Sequence, residues 1–126
     1  MKKKIGTALN CIDGRTQIPV IKWMKENFGV DYVDLITEPG MDKVLSQGER
    51  TETERLREKV IISINAHNSN VVAVVGHFDC AANPVSDFKH FSDILASTHV
   101  VESWGLPIKV VGLWVDEFFC VYVVSR

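Results

Sequence analysis

Apolar residues in this chain switch between short unbroken runs and helically spaced stripes, and the switches divide the sequence into elements. Val71–Val75 is continuous and β-branched, which suits a strand covered on both faces, as in a parallel sheet. Lys4–Leu9 and Asp31–Thr37 read as two earlier strands, the second closed by Glu38-Pro39-Gly40. Between them Ile18, Ile21, Trp23, Met24 and Phe28 recur at roughly helical spacing. Pro19 suits the first turn of that helix, where its missing N–H costs nothing, and Gly29 stops it.

A short helix carrying Val44 and Leu45 inward is expected next. Thr51-x-x-Glu54 has the capping-box pattern and is expected to open the longest helix, which runs to about Asn68. Leu56, Val60 and Ile64 form its buried stripe with Ile61 beside them, while Arg55, Arg57, Glu58 and Lys59 face solvent. After the Val71–Val75 strand, Asn83-Pro84 can start another helical region, carried by Phe88, Phe91, Ile94, Leu95 and Val101 and ended by Gly105-Leu106-Pro107. Ile108–Val115 and Phe118–Val124 are joined only by Asp116-Glu117, which predicts an antiparallel hairpin. Strands alternating with helices predict an α/β fold: a mostly parallel central sheet with helices on both faces and a C-terminal antiparallel hairpin strand. Ligands of such sheets gather at the carboxyl ends of the strands. Cys11, Glu38-Pro39-Gly40 and Gly76-His77 all fall at that rim.

Composition narrows the function classes. At 126 residues the chain is expected to be one domain, 1–126, and 46% hydrophobic with 24% charged residues is ordinary globular composition. A net charge of −2 offers no nucleic-acid or anionic-membrane footprint. Met1-Lys2-Lys3-Lys4 is basic, but the apolar run behind it is too short for a signal peptide, and no run approaches a membrane span. A cytoplasmic protein is therefore expected, and three cysteines in such a chain point to metal, catalysis or packing rather than disulfides.

The cysteines sit where chemistry is expected. Zinc favours thiolate and imidazole in a tetrahedral set, and catalytic sites often use three protein ligands with one open position. His77-x-x-Cys80 places two such ligands on one turn leaving a strand, and Cys11 can supply a third from the neighbouring strand. Asp13 and Arg15 stand two apart, so in an extended stretch both side chains project the same way. A carboxylate beside a guanidinium stays ionised and can accept a hydrogen bond from water at such a site, although a surface ion pair of little energetic consequence has the same pattern.

Cys11-x-Asp13-x-Arg15 followed by Gly76-His77-x-x-Cys80 resembles the β-class carbonic anhydrase pattern. His77-Phe78-Asp79-Cys80 is similar to the compact branch of that family, and Val111–Asp116 resembles its final hairpin. The resemblance implies a zinc enzyme, a carbonate dehydratase (lyase), that interconverts carbon dioxide and bicarbonate through a hydroxide held on the ion. Cys11, His77 and Cys80 would bind one Zn2+ per chain, and Asp13, held by Arg15, would orient the hydroxide. Gly40, Gly76 and Asp79 would lie around these groups, and the resemblance implies a homodimer or higher homo-oligomer. Two departures stand out: Thr37-Glu38-Pro39-Gly40 replaces the family's Arg-Asn-Ala-Gly turn, and Ala81 follows the second cysteine in place of glycine. Gln17 is a weak candidate for a glutamine that some members contribute from a partner subunit.

The other residues have plainer expectations. Cys120 and the tryptophans Trp23, Trp104 and Trp114 read as core or interface, His67, His90 and His99 as surface, and Glu38 as a turn residue. Asp79, between two ligands, suits a hydrogen-bonding role behind the metal. The alternatives at this point are hydrolysis of a carbon dioxide analogue such as carbonyl sulfide, a non-catalytic zinc- or bicarbonate-binding module, and a redox thiol protein, the last disfavoured because Cys-x-x-Cys is absent.

Overall fold

The computed structural model describes residues 3–126, so the first two residues of the basic Met1–Lys4 stretch lie outside it. In chain order the elements are β1 (Ile5–Cys11), α1 (Gly14–Phe28), β2 (Tyr32–Glu38), α2 (Met41–Gln47), α3 (Arg50–His67), β3 (Val71–His77), α4 (Asp87–Ser103), β4 (Lys109–Val115) and β5 (Val121–Ser125). The sheet order is β2-β1-β3-β4-β5, parallel except for β5, which runs antiparallel to β4. This is the expected α/β architecture.

The unbroken apolar run of β3 is explained by two cores. Val71, Ala73 and Val75 join Ala8, Val20, Met24 and Leu113 on the α1 side. Val72 and Val74 join Leu9, Met41, Leu45, Leu56, Val60 and Val101 on the side of α2, α3 and α4. Successive side chains of a strand point to opposite faces, so a strand covered twice has no polar position to spare. The β1–β3 register, Leu9 opposite Val74, brings Cys11 and His77 to the same rim. No helix among the described residues is long and apolar enough to cross a membrane.

Several local expectations are corrected. The capping box of α3 is built by Glu49 and Glu52, two residues before Thr51-x-x-Glu54: the Glu52 carboxylate accepts from the Glu49 amide at 3.2 Å. A glutamate can serve there because capping needs only an acceptor that reaches back to the free amides. Pro19 lies inside α1, which begins at Gly14, so it withholds the amide that would meet the Arg15 carbonyl. Helix α4 starts at Asp87 under a Ser86 cap, whose hydroxyl accepts from the Lys89 amide, rather than at Asn83-Pro84. On that helix Phe88 and Leu95 are exposed instead of inward.

The β4–β5 link is Asp116–Cys120, not the dipeptide Asp116-Glu117. The Asp116 carboxylate accepts from the amides of Phe118 and Cys120, both at 2.9 Å, and this side-chain turn holds the longer loop. Cys120 is consequently an exposed loop residue and not a strand residue in the core.

A candidate metal centre at the carboxyl rim

Three side chains converge at the ends of β1 and β3. The ligand atoms of Cys11, His77 and Cys80 all lie within 4.8 Å of one another, and all three residues are buried. The sulfurs of Cys11 and Cys80 stand 4.0 Å apart. Two sulfurs each about 2.3 Å from a tetrahedral ion would be separated by about 3.8 Å, so the pair needs almost no movement to share one.

His77 completes the fit. Its Nδ1 lies 2.8 Å from the Phe78 carbonyl, which can only accept, so Nδ1 carries the proton. Nε2 then presents its lone pair, and it is buried with no hydrogen-bond partner among the described residues. An orphaned buried nitrogen is costly, and a cation bound beside two sulfurs removes that cost. The donor set therefore suits a soft or borderline divalent metal such as zinc.

The electrostatics agree. The Cys80 thiol, with burial opposing and His77 adding to the effect, favours a thiolate at Cys11 and lowers its pKa to about 3. The amides of Asp13 and Gly40 pull in the same direction. Cys80 is pushed up because its proton bridges to that thiolate, although the amides of Asn83 and Ala82 oppose the shift. Burial disfavours the His77 imidazolium, but the Cys11 thiolate and the Phe78 carbonyl outweigh it, and the net direction is up. A cation among these donors takes the place of the shared protons, so binding releases them.

Asp13 and Arg15 meet by a route other than the one expected. The segment is not extended: Asp13 is the N-cap of α1, and its carboxylate accepts from the Arg15 amide at 3.0 Å. The Arg15 guanidinium returns to the same carboxylate at 2.7 Å. Hydrogen bonding to Arg15, opposed by slight burial, lowers the Asp13 pKa to about 2. Arg15 also reaches the Asp79 carboxylate at 3.5 Å and the Asp79 carbonyl at 3.3 Å, tying the head of α1 to the turn between His77 and Cys80. Asp79 itself sits at φ 57°, a left-handed conformation that Asp tolerates better than most residues.

The glycines are explained by close approach. A Cβ on Gly76 would stand 2.8 Å from both the Asp42 Oδ2 and the Ile94 Cδ1. Gly40, at φ 64°, heads α2 and lies against Ala82, where a Cβ would come within 3.1 Å. Gln17 donates to the Ile12 carbonyl at 3.0 Å.

Behind the site lies a buried polar cluster that sequence reasoning missed. Asp42, Asn83, His90 and Asp93 are each 2% exposed. His90 is therefore not a surface residue: its Nδ1 lies 2.6 Å from the Asp42 carboxylate and its ring packs against Trp114. The four come from α2, the loop after β3, and α4, so no spacing in the sequence joins them. The hint available was Asp42, three residues before the inward-facing Leu45 on a short helix.

Residues 1–125 match the model of a family described as "Putative carbonic anhydrase". The chain belongs to that carbonic anhydrase family. Its fold is shared with the β-carbonic anhydrase isoform I of Trichomonas vaginalis, at a TM-score of 0.64 and 16% identity, over 100% of this chain and 87% of that one. A carbonic anhydrase from Glaciozyma antarctica aligns at 0.62 and 13% identity, over 94% and 81% of the two chains. The β-carbonic anhydrase CafA of Aspergillus fumigatus aligns at 0.51 and 12% identity, over 100% and 78%. No curated protein matches the chain.

Proposed function

We propose that this chain holds one zinc ion through Cys11, His77 and Cys80 and catalyses the reversible hydration of carbon dioxide to bicarbonate. The observation that carries the reading is the buried Cys11–His77–Cys80 cluster with its unpaired Nε2, at the rim where an α/β sheet places its ligands. Family membership supplies the reaction class.

When bound, such an ion supplies the Lewis acidity that makes water a nucleophile near neutral pH. The chain's own residues do the rest. His77 is fixed in one tautomer by the Phe78 carbonyl, which aims Nε2 inward. Asp13 is an acceptor throughout the neutral range, because Arg15 keeps it ionised, and it orients the attacking water by a hydrogen bond. Arg15 in turn is braced by Asp79, so the carboxylate is held rather than free to rotate.

A cytoplasmic homodimer or higher homo-oligomer belongs to the same proposal. Association is supported by the exposed apolar surface of Phe118, Phe119 and Tyr122, which it would cover. Elemental analysis together with stopped-flow carbon dioxide hydration across pH tests the central reading. About one zinc per chain and a rate that rises with pH are expected; no zinc, or the uncatalysed rate at every pH, overturns it.

A further inference from the structure

Four nearly inaccessible polar residues join α2, the loop after β3 and α4 beside the proposed metal site. An apolar set would do that at less cost, since each buried carboxylate must recover its hydration through hydrogen bonds. What distinguishes the cluster is where its bonds lead. Asp42 Oδ2 accepts from His90 Nδ1 at 2.6 Å, and Asp42 Oδ1 accepts from Asn83 Nδ2 at 3.1 Å. The same Asn83 amide group donates to Asp93 Oδ2 at 3.1 Å, and Asp93 is closed off by Lys89 at 2.6 Å.

Asn83 is also part of the turn that carries a ligand. Its backbone N–H donates to the Cys80 carbonyl at 3.3 Å. Asp42 stands at the other end of the link, two residues after Gly40, which heads α2. Gly40 itself presses against Ala82. Asp42 Oδ2 lies against Gly76, the residue before His77, so close that only glycine fits. One carboxylate thus bonds to the turn that carries Cys80 and lies against the residue before His77.

We propose that Asp42 is a positioning residue for the metal site: through Asn83 it fixes the turn that carries Cys80, and against Gly76 it fixes the end of β3 that carries His77. His90 orients the Asp42 carboxylate so that its other oxygen is left for Asn83. This inference rests on the metal-binding reading above and concerns how the ligands are held, not whether they bind.

Cobalt(II) substitution of the full chain tests it, because sulfur-to-cobalt charge-transfer bands report on thiolate surroundings and not on fold stability. The wild-type chain is first shown to take up cobalt(II) with such bands; failure at that step overturns the metal reading itself. In Asp42→Ala the bands shift, and release of the metal to a chelator quickens roughly tenfold to a hundredfold. Asp42→Asn, which keeps one acceptor oxygen, recovers part of the loss. Asn83→Ser leaves the Asp42–His90 bond in place and gives the same direction of change, so it decides the matter should Asp42→Ala fail to fold. Ser97→Ala removes a hydroxyl that donates to the Asp42 backbone carbonyl at 2.9 Å and leaves the carboxylate untouched. That variant lowers the melting temperature with the spectrum unchanged. Wild-type bands and release in Asn83→Ser, or equal shifts in Ser97→Ala, overturn the proposal.

Discussion

The two ends of the sheet carry buried polar groups of opposite character. At the amino end, the Thr7 hydroxyl meets those of Ser63 and Ser69, both at 2.7 Å, and Ser63 and His67 meet the Asp34 carboxylate, also at 2.7 Å. Those hydroxyls satisfy one another and fasten α3 to the first strands. At the carboxyl end, two sulfurs crowd together, an imidazole nitrogen has no partner among the described residues, and two aspartates are buried behind them. The amino end is closed chemistry; the carboxyl end is built to receive something. Unsatisfied groups, rather than buried polarity as such, mark the site.

Substitution can break that contrast, most severely at the ligands. His77→Ala or Cys80→Ser should reduce zinc from about one equivalent to near none by elemental analysis; full occupancy in either variant would sink the three-ligand site. Next in size is Asp13→Asn, expected to slow carbon dioxide hydration about a hundredfold with zinc content unchanged, as for loss of a positioned acid–base group. Equal loss of metal and rate would make Asp13 merely structural.

At the opposite end, Thr7→Val removes a hydroxyl from two buried partners and should cost about 1–3 kcal/mol in chemical denaturation. Zinc content and rate per folded molecule should stay at wild-type levels. A stable variant with an impaired site would erase the distinction between the two ends.

The smallest effect is in titration. Asp13 has a depressed pKa in the folded chain, so the stabilisation from its ion pair is present above the ordinary carboxylate range and is lost as pH falls through about 2. In Arg15→Gln, NMR should find the Asp13 midpoint moved up towards about 3.9, the ordinary value. An unmoved midpoint would remove Arg15 as the cause.

Much of the architecture was legible because it follows from periodicity. The double-sided run of Val71–Val75, the helical recurrence from Ile18 to Phe28 and the stripe of Leu56 and Val60 each have one economical reading, and the structure has them so. Local bounds were less legible where polar side chains choose among nearby amides. Glu49 displaced Thr51 as the start of α3, and Asp116 stretched the hairpin loop to five residues, leaving Cys120 exposed.

The residues of the site divide in the same manner. Cys11, Asp13, Arg15, His77 and Cys80 announce themselves by residue type and by position just after apolar runs, and a parallel sheet must bring strand ends to one rim. The sequence by itself thus determined the sheet, the rim and the candidate ligands. Only the tertiary structure decided that Asp13 meets Arg15 as a helix cap, that His77 turns an unpaired nitrogen inward, and that Asp42, Asn83, His90 and Asp93 close behind them. The reason is physical: periodicity along a chain reports which face is buried, whereas the partner of a buried polar group comes from a distant element and is fixed only when the elements pack.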